Sequence, residues 1–114
     1  MDNCLFCRII KGEIPSAKVY EDEYVYAFKD INPVAPVHVL VVPKTHIASL
    51  EDLNDGNIEN VVHIHRGIQQ VAKVMGINDS GYRVIVNCGE NAGQTVFHLH
   101  YHVVGGVKMN EKIL

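Results

Sequence analysis

The sequence predicts an α+β fold: a five-stranded antiparallel meander sheet with one long helix on one face and a short N-terminal helix. Three observations predict it. Short runs rich in β-branched and aromatic residues recur along the chain, separated by turn-forming residues. A single stretch, residues 57–75, carries a sustained helical period. Adjacent strands stand in hairpin order, with the helical stretch as the long interruption.

Residues 4–13, "CLFCRIIKGE", form one or two helical turns that end near Gly12. "KVYEDE" (18–23) and "YVYAFKD" (24–30) read as two strands joined by a tight acidic turn. "INPVAP" (31–36) is a loop, because two prolines cannot donate to a ladder. "VHVLVVPK" (37–44) is nearly unbroken apolar and suits a central strand. In 57–75, Ile58, Val61, Val62, His65, Ile68, Val71, Ala72 and Met75 fall on one face. Asn57 caps that helix and Gly76 stops it. "GYRVIVNC" (81–88) is a strand, "GENAGQT" (89–95) a glycine-bearing loop, and "VFHLHYHVVGG" (96–106) a final strand.

The chain has 114 residues, 47% hydrophobic and 20% charged, which suits one globular domain over 1–114. A net charge of −3 argues against a broad nucleic-acid footprint. No apolar run reaches the roughly 18 residues needed to span a membrane. "MDNCLFCRIIKGE" is too charged for a signal peptide, so a cytoplasmic protein is expected. The sequon "NDS" at 78–80 is then a chance match. Three cysteines, Cys4, Cys7 and Cys88, do not suggest a disulfide framework.

"HLHYH" (98–102) concentrates the chemistry. On a strand, His98, His100 and His102 share one face, and Leu99, Tyr101 and Val103 the other. At about 3.3 Å per residue, the outer two lie roughly 13 Å apart at Cα. A metal sits only about 2 Å from each ligand nitrogen, so one straight strand cannot offer all three without strain. The geometry favours dividing the histidines between jobs. The pair in "HIH" (63–65) diverges by about 200° on a helix and cannot cooperate. His63 is expected in solvent and His65 partly buried.

Cys4 and Cys7 form a C-x-x-C pair, which is half a zinc site, a redox pair, or two unused thiols. A redox pair is expected beside a βαβ unit, and none follows. Zinc would need two further ligands, for which His46 and one member of the histidine run are candidates. The loop "NCGENAGQT" is no P-loop, since no Lys-Ser/Thr follows its glycines. "EDLNDGN" (51–57) has Glu and Leu where a calcium loop needs Asp or Asn. Gly93 lets the backbone approach a ligand, and Thr95 adds a hydroxyl donor, which together suit an anion.

The run His98-Leu99-His100-Tyr101-His102-Val103-Val104 reads H-φ-H-φ-H-φ-φ. With "GQTVFHLHYHVV", "DINPVAPVHVLVVPKTHI" (30–47) and "CLFCRIIKGEIPSAKVYEDE" (4–23), the sequence resembles the histidine triad (HIT) family of nucleotide hydrolases and transferases. The likeness is to the Hint-type purine nucleoside phosphoramidases and spans all but the last few residues.

The resemblance implies a HIT-like fold whose sheet is extended by homodimerisation, edge to edge. It implies cleavage of the P–N bond of purine nucleoside 5′-phosphoramidates through a covalent nucleotidyl-histidine. His100 would be the nucleophile, His102 would contact the phosphate and help protonate the leaving group, and His38 would complete the catalytic set. Asn87, Gly93, Gln94 and Thr95 would hold the phosphate. Asp30 would bind the ribose, with Phe6, Ile9, Ile14, Phe28, Ile31 and Leu40 lining the base pocket. Cys4, Cys7, His46 and His98 would coordinate a structural zinc that catalysis does not need. A neutral His100 is required, so activity should fall below an ordinary His pKa of about 6.5.

Thr95 stands where many Hint-type members carry Ser, which keeps the hydroxyl and adds a methyl. The tail "GGVKMNEKIL" lacks the Trp-Pro-Pro-Gly type ending by which animal members tune the leaving group. The same residues leave three other functions open: dinucleoside polyphosphate hydrolysis or nucleotidyl transfer, a nucleotide-binding scaffold with incidental activity, and a three-histidine metalloenzyme.

Overall fold

A computed structural model describes residues 3–114. Helix α1 spans Leu5–Ile10, followed by strands β1 (Lys18–Glu21), β2 (Val25–Lys29) and β3 (Val37–Pro43). Helix α2 spans Asn60–Val74, then come β4 (Tyr82–Ile85) and β5 (Tyr101–Gly105). The strands form one antiparallel sheet in the order β1-β2-β3-β5-β4. This is the expected α+β architecture, with one departure from simple meander order. β5 inserts between β3 and β4. Its inward row, Tyr101 and Val103, is buried, whereas β4 leaves Val84 and Ile85 exposed. The more apolar strand takes the slot that is paired on both edges.

The sheet has two dressed faces. On one, Val25, Ala27, Val37, Val39, Val41, Leu99, Tyr101 and Val103 meet α2 through Ile64, Ile68, Val71 and Ala72. On the other, Tyr26, Phe28, Leu40 and Val42 meet α1 through Phe6 and Ile9. Every residue of β3 is buried, as its apolar run predicts for a central strand.

Helix α2 begins three residues later than expected, and Asn57 does not cap it. The Asn57 side chain instead accepts from the backbone N–H of Asn54 and donates to the carbonyl of Asp52. The C-terminal end behaves as expected. Gly76 has φ +71°, its N–H reaches the Lys73 carbonyl, and the Ile77 N–H reaches that of Ala72. That is a Schellman cap, with Ile77 buried behind it.

The helix is also rotated from its expected phase. Ile64 and Gly67 face the sheet, while Ile58, Val62 and His65 are exposed. Gly67 sets this phase, because a Cβ there would come within 2.9 Å of the Val25 side chain. A hydrophobicity count overlooks a glycine, yet here the missing side chain admits β2. His63 is half-buried rather than solvated, stacked on Tyr24 with ring centroids 3.6 Å apart.

The last strand begins at Tyr101, not at residue 96. Its extension would run beside β3 past Pro43, which has no N–H to donate. The Pro43 and His98 carbonyls are taken by imidazoles instead.

Replacing Gly67 with Ala should lower unfolding stability by about 1 kcal/mol. Overpacking of about 1–3 kcal/mol outweighs roughly 1 kcal/mol of helix propensity. A urea midpoint at or above wild type would show that the contact with β2 is not close-packed.

Candidate active site

Three imidazoles project from the α1 face of the sheet, and a backbone carbonyl decides the proton position of two of them. His98 is fully buried, and its Nε2–H donates to the Pro43 carbonyl at 2.8 Å. Its Nδ1 therefore carries a lone pair. His100 donates from Nδ1 to the His98 carbonyl at 2.7 Å, which leaves a lone pair on Nε2. The edge-on ring of Phe6, 5.0 Å away, packs against the His100 imidazole.

The third proton position follows from a longer chain. The Val34 backbone N–H donates to His38 Nδ1 at 3.1 Å, so the His38 proton sits on Nε2. Nε2–H points at His102 Nδ1 at 2.9 Å, with Asp30 Oδ2 at 3.4 Å. His102 is thereby left with its proton on Nε2. His100 is a lone-pair donor and its neighbour His102 a hydrogen-bond donor, with ring centroids 5.2 Å apart.

Burial lowers the basicity of this set. It holds the His102 imidazole down at about 4, helped by the His100 and His38 rings and opposed by Asp30. Burial also lowers His100, against the pull of the His98 carbonyl and Asp30. Both rings are neutral at neutral pH, so any acid limb carried by His100 moves below the ordinary 6.5 that the sequence suggests.

His98 Nδ1 faces a second cluster. It lies 3.4 Å from Cys4 Sγ, 3.5 Å from Cys7 Sγ and 3.2 Å from His46 Nδ1. Cys7 Sγ is 3.3 Å from His46 Nδ1. A tetrahedral ion about 2.0–2.3 Å from each donor would space such atoms roughly 3.3–3.8 Å apart. The two thiols arrive together because Cys4 is the N-cap of α1, and its sulfur accepts from the Cys7 backbone N–H. Burial and the Cys4 sulfur push the Cys7 thiol upward. A cation at the centre would reverse that and satisfy the lone pairs. The cluster is compatible with zinc in spacing and in donor chemistry.

A cleft of about 550 Å³ opens above His100 and His102. Its wall holds His38, Asp30 and Thr95, together with Phe6, Ile9, Ile14, Phe28, Ile31 and Leu40, each named from the sequence. Leu5, Pro15, Asn32, Val34 and Val96 also line it and carried no sequence signal of their own. Ile31 is 91% exposed, so it forms the rim and not the floor.

The loop 89–95 behaves differently from expectation. Gln94 is buried, and its groups are committed within the protein. Its backbone N–H reaches the Gly89 carbonyl and its Oε1 accepts from the Gly89 N–H. Its Nε2 donates to the Ala48 and Val96 carbonyls. The Gly93 N–H goes to Glu90. Gln94 therefore braces the loop rather than offering donors to an anion. Of the four loop residues named for that task, Thr95 alone lines the cleft, and Asn87 is not among its walls.

Fold and site together define a histidine-centred α+β domain with a Cys/His cluster behind its cleft. A HIT domain profile matches residues 11–109. A HIT family hydrolase from Clostridium thermocellum superposes with a TM-score of 0.97 at 57% identity, covering 100% of this chain and 99% of the other. A histidine triad protein from Clostridium difficile gives 0.92 at 54% identity, covering 98% and 96%. A 14 kDa zinc-binding protein from Zea mays is 45% identical over 108 residues, 93% of this chain and 84% of the relative. The chain belongs to the HIT family.

Between about pH 6.5 and 4, His102 is protonated in the unfolded chain and neutral in the folded one. The unfolded state binds more protons there, so stability falls as pH drops through this window. His102→Gln should flatten the fall, read as urea midpoints at pH 7 and pH 5. Parallel curves for variant and wild type would refute it.

Proposed function

We propose that this chain is a hydrolase that cleaves the P–N bond of purine nucleoside 5′-phosphoramidates through a nucleotidyl intermediate on His100. The observation that carries the reading is the His100 Nδ1 bond to the His98 carbonyl, which frees Nε2 as a nucleophile without any deprotonation. The likeness to a HIT family hydrolase supports the reaction class.

In this reading, Phe6, Ile9, Ile14, Phe28 and Leu40 hold the base by apolar contact. Asp30 meets the ribose through Oδ2, since its Oδ1 already accepts from the Asn32 N–H. Thr95 donates its hydroxyl to a phosphate oxygen. His100 Nε2 attacks phosphorus and the P–N bond breaks. The arriving anion raises the proton affinity of His102, so that ring takes up a solvent proton in the bound complex and the resulting imidazolium passes one proton to the departing amine. Water then attacks the phosphorus of the intermediate, its proton passes to His102, and His100 is released.

Zinc belongs to the same reading. Cys4, Cys7, His46 and His98 would supply all four positions of a tetrahedral ion, and a closed coordination set is structural rather than catalytic. Zinc here would hold α1 and the 98–100 segment together. Asp30, His38 and His102 form another group with ligand spacing. Its His38 Nε2 is kept protonated by the Val34 N–H on the opposite nitrogen, which disfavours a cation there. That supports chemistry without a catalytic metal.

The homodimer is part of this proposal as well. β4 is an edge strand that exposes Val84 and Ile85, a surface a second copy would cover. The β1 edge is instead dressed with charge, where Glu21 pairs with Lys18 and Lys44. Among the described residues, no helix is long and apolar enough to cross a membrane. A cytoplasmic location and the absence of a nucleic-acid partner remain expectations of this reading.

Adenosine 5′-phosphoramidate should be hydrolysed by wild type, with His100→Ala reducing the rate by about 10³-fold or more. Equal inactivity of both proteins would defeat the enzyme assignment. Turnover of diadenosine polyphosphates alone would move the assignment to that substrate class. Metal analysis should find one zinc per chain, kept in His100→Ala and lost in Cys4→Ala. Loss in His100→Ala instead would move the metal to the histidine run.

A further inference from the structure

We infer that a groove beside the cleft is a subsite for the leaving amine, and that it takes an uncharged apolar substituent, alkyl or aromatic. The inference rests on the phosphoramidate reading. The groove is a separate hollow of about 500 Å³, and Leu5, Thr95 and Val96 are walls of both it and the cleft. Ala48 and Phe97 complete its apolar side, Asn3 stands at its rim, and Cys4 and His46 of the Cys/His cluster form the rest of the wall.

A phosphoramidate carries two organic groups on one phosphorus. The nucleoside takes the arm lined by Phe28 and Leu40, with phosphorus above His100 and beside Thr95. The other substituent needs a different exit, and the groove opens on the far side of Thr95 and Val96. When the P–N bond breaks, the nitrogen keeps the electron pair and takes a proton from His102. The amine then departs along this wall.

Phe97 and Leu5 give the groove its character. Phe97 is 55% exposed and Leu5 44%, an aromatic ring and an aliphatic chain offered to solvent at the edge of the catalytic run. Among the described residues, no Asp, Glu, Lys or Arg stands in the groove wall. An ammonium or carboxylate on the substituent would lose water there with none of those side chains to pair with, since Cys4 and His46 are committed to their cluster, whereas an apolar group would cover Phe97. The Ala48 wall is held in place because its carbonyl accepts from the buried Gln94 amide.

The test compares kcat/KM for three AMP conjugates: unsubstituted phosphoramidate, 2-phenylethylamine, and 2-(trimethylammonio)ethylamine. This constant reports only steps up to amine release. Wild type should favour the phenylethyl over the cationic conjugate by roughly tenfold or more. Phe97→Ala, which removes the ring, and Ala48→Leu, which narrows the groove, should each lower the ratio of phenylethyl to unsubstituted kcat/KM about tenfold. Ratios within twofold of wild type in both variants would overturn the subsite. So would a change in sedimentation of both variants, which would make the groove a contact between copies. Wild type that cleaves all three conjugates equally refutes the inference alone. Wild type that cleaves none refutes the phosphoramidase reading on which it rests.

Discussion

The arrangement depends on where two backbone carbonyls point. The Pro43 oxygen fixes the proton of His98 on Nε2, and the His98 oxygen fixes that of His100 on Nδ1. An imidazole is only useful as ligand or nucleophile at the nitrogen that lacks the proton. His98 thus serves twice: its ring faces the cysteines while its own carbonyl prepares the next histidine. Both carbonyls are free for this because the regular strand begins only at Tyr101 and β3 ends at a proline. The break in the ladder is what makes the acceptors available.

Burial completes the arrangement. A solvated imidazole near pH 6.5 would be partly cationic and a poor nucleophile. Pressing His100 against Phe6 and His102 against His38 keeps both neutral, and the cost is carried by carbonyl and imidazole partners already in place. The Val34 N–H extends the same logic outward, since it directs the His38 proton toward His102 and away from any cation. The cysteine cluster gathers sulfur and nitrogen atoms around one point, whereas the centre of this second group already holds the His38 proton, directed at His102 with Asp30 beside it.

Much of this was legible in the sequence. The alternation of "HLHYH" separated histidines from Leu99, Tyr101 and Val103 correctly, because that alternation persists even where the strand is irregular. The C-x-x-C pair pointed to a cluster, and His46 and His98 do join it. The apolar lining of the cleft followed from motif resemblance. The loop 89–95 was read less well. Gly93 and Gln94 look like anion donors by residue type, but their N–H groups are spent inside the loop, and only a hydrogen-bond inventory reveals that. The helix phase was missed because Gly67 contributes nothing to an apolar count while admitting the closest approach to β2. His63 was assigned to solvent for want of any sequence sign that Tyr24 would stack on it.

The sequence by itself determined what each segment prefers: strand, helix and turn, the sides on which histidine and leucine alternate, and the set of residues with ligand or nucleophile chemistry. These are local properties, set by backbone dihedrals, side-chain period and functional groups. Tertiary structure decided what depends on groups distant in the chain. It put β5 between β3 and β4, so that His102 meets His38 across 64 positions. It brought Cys4 to His98 across 94. It also chose which nitrogen of each ring holds the proton. That choice belongs to a hydrogen-bond partner on another segment, and no local pattern encodes it.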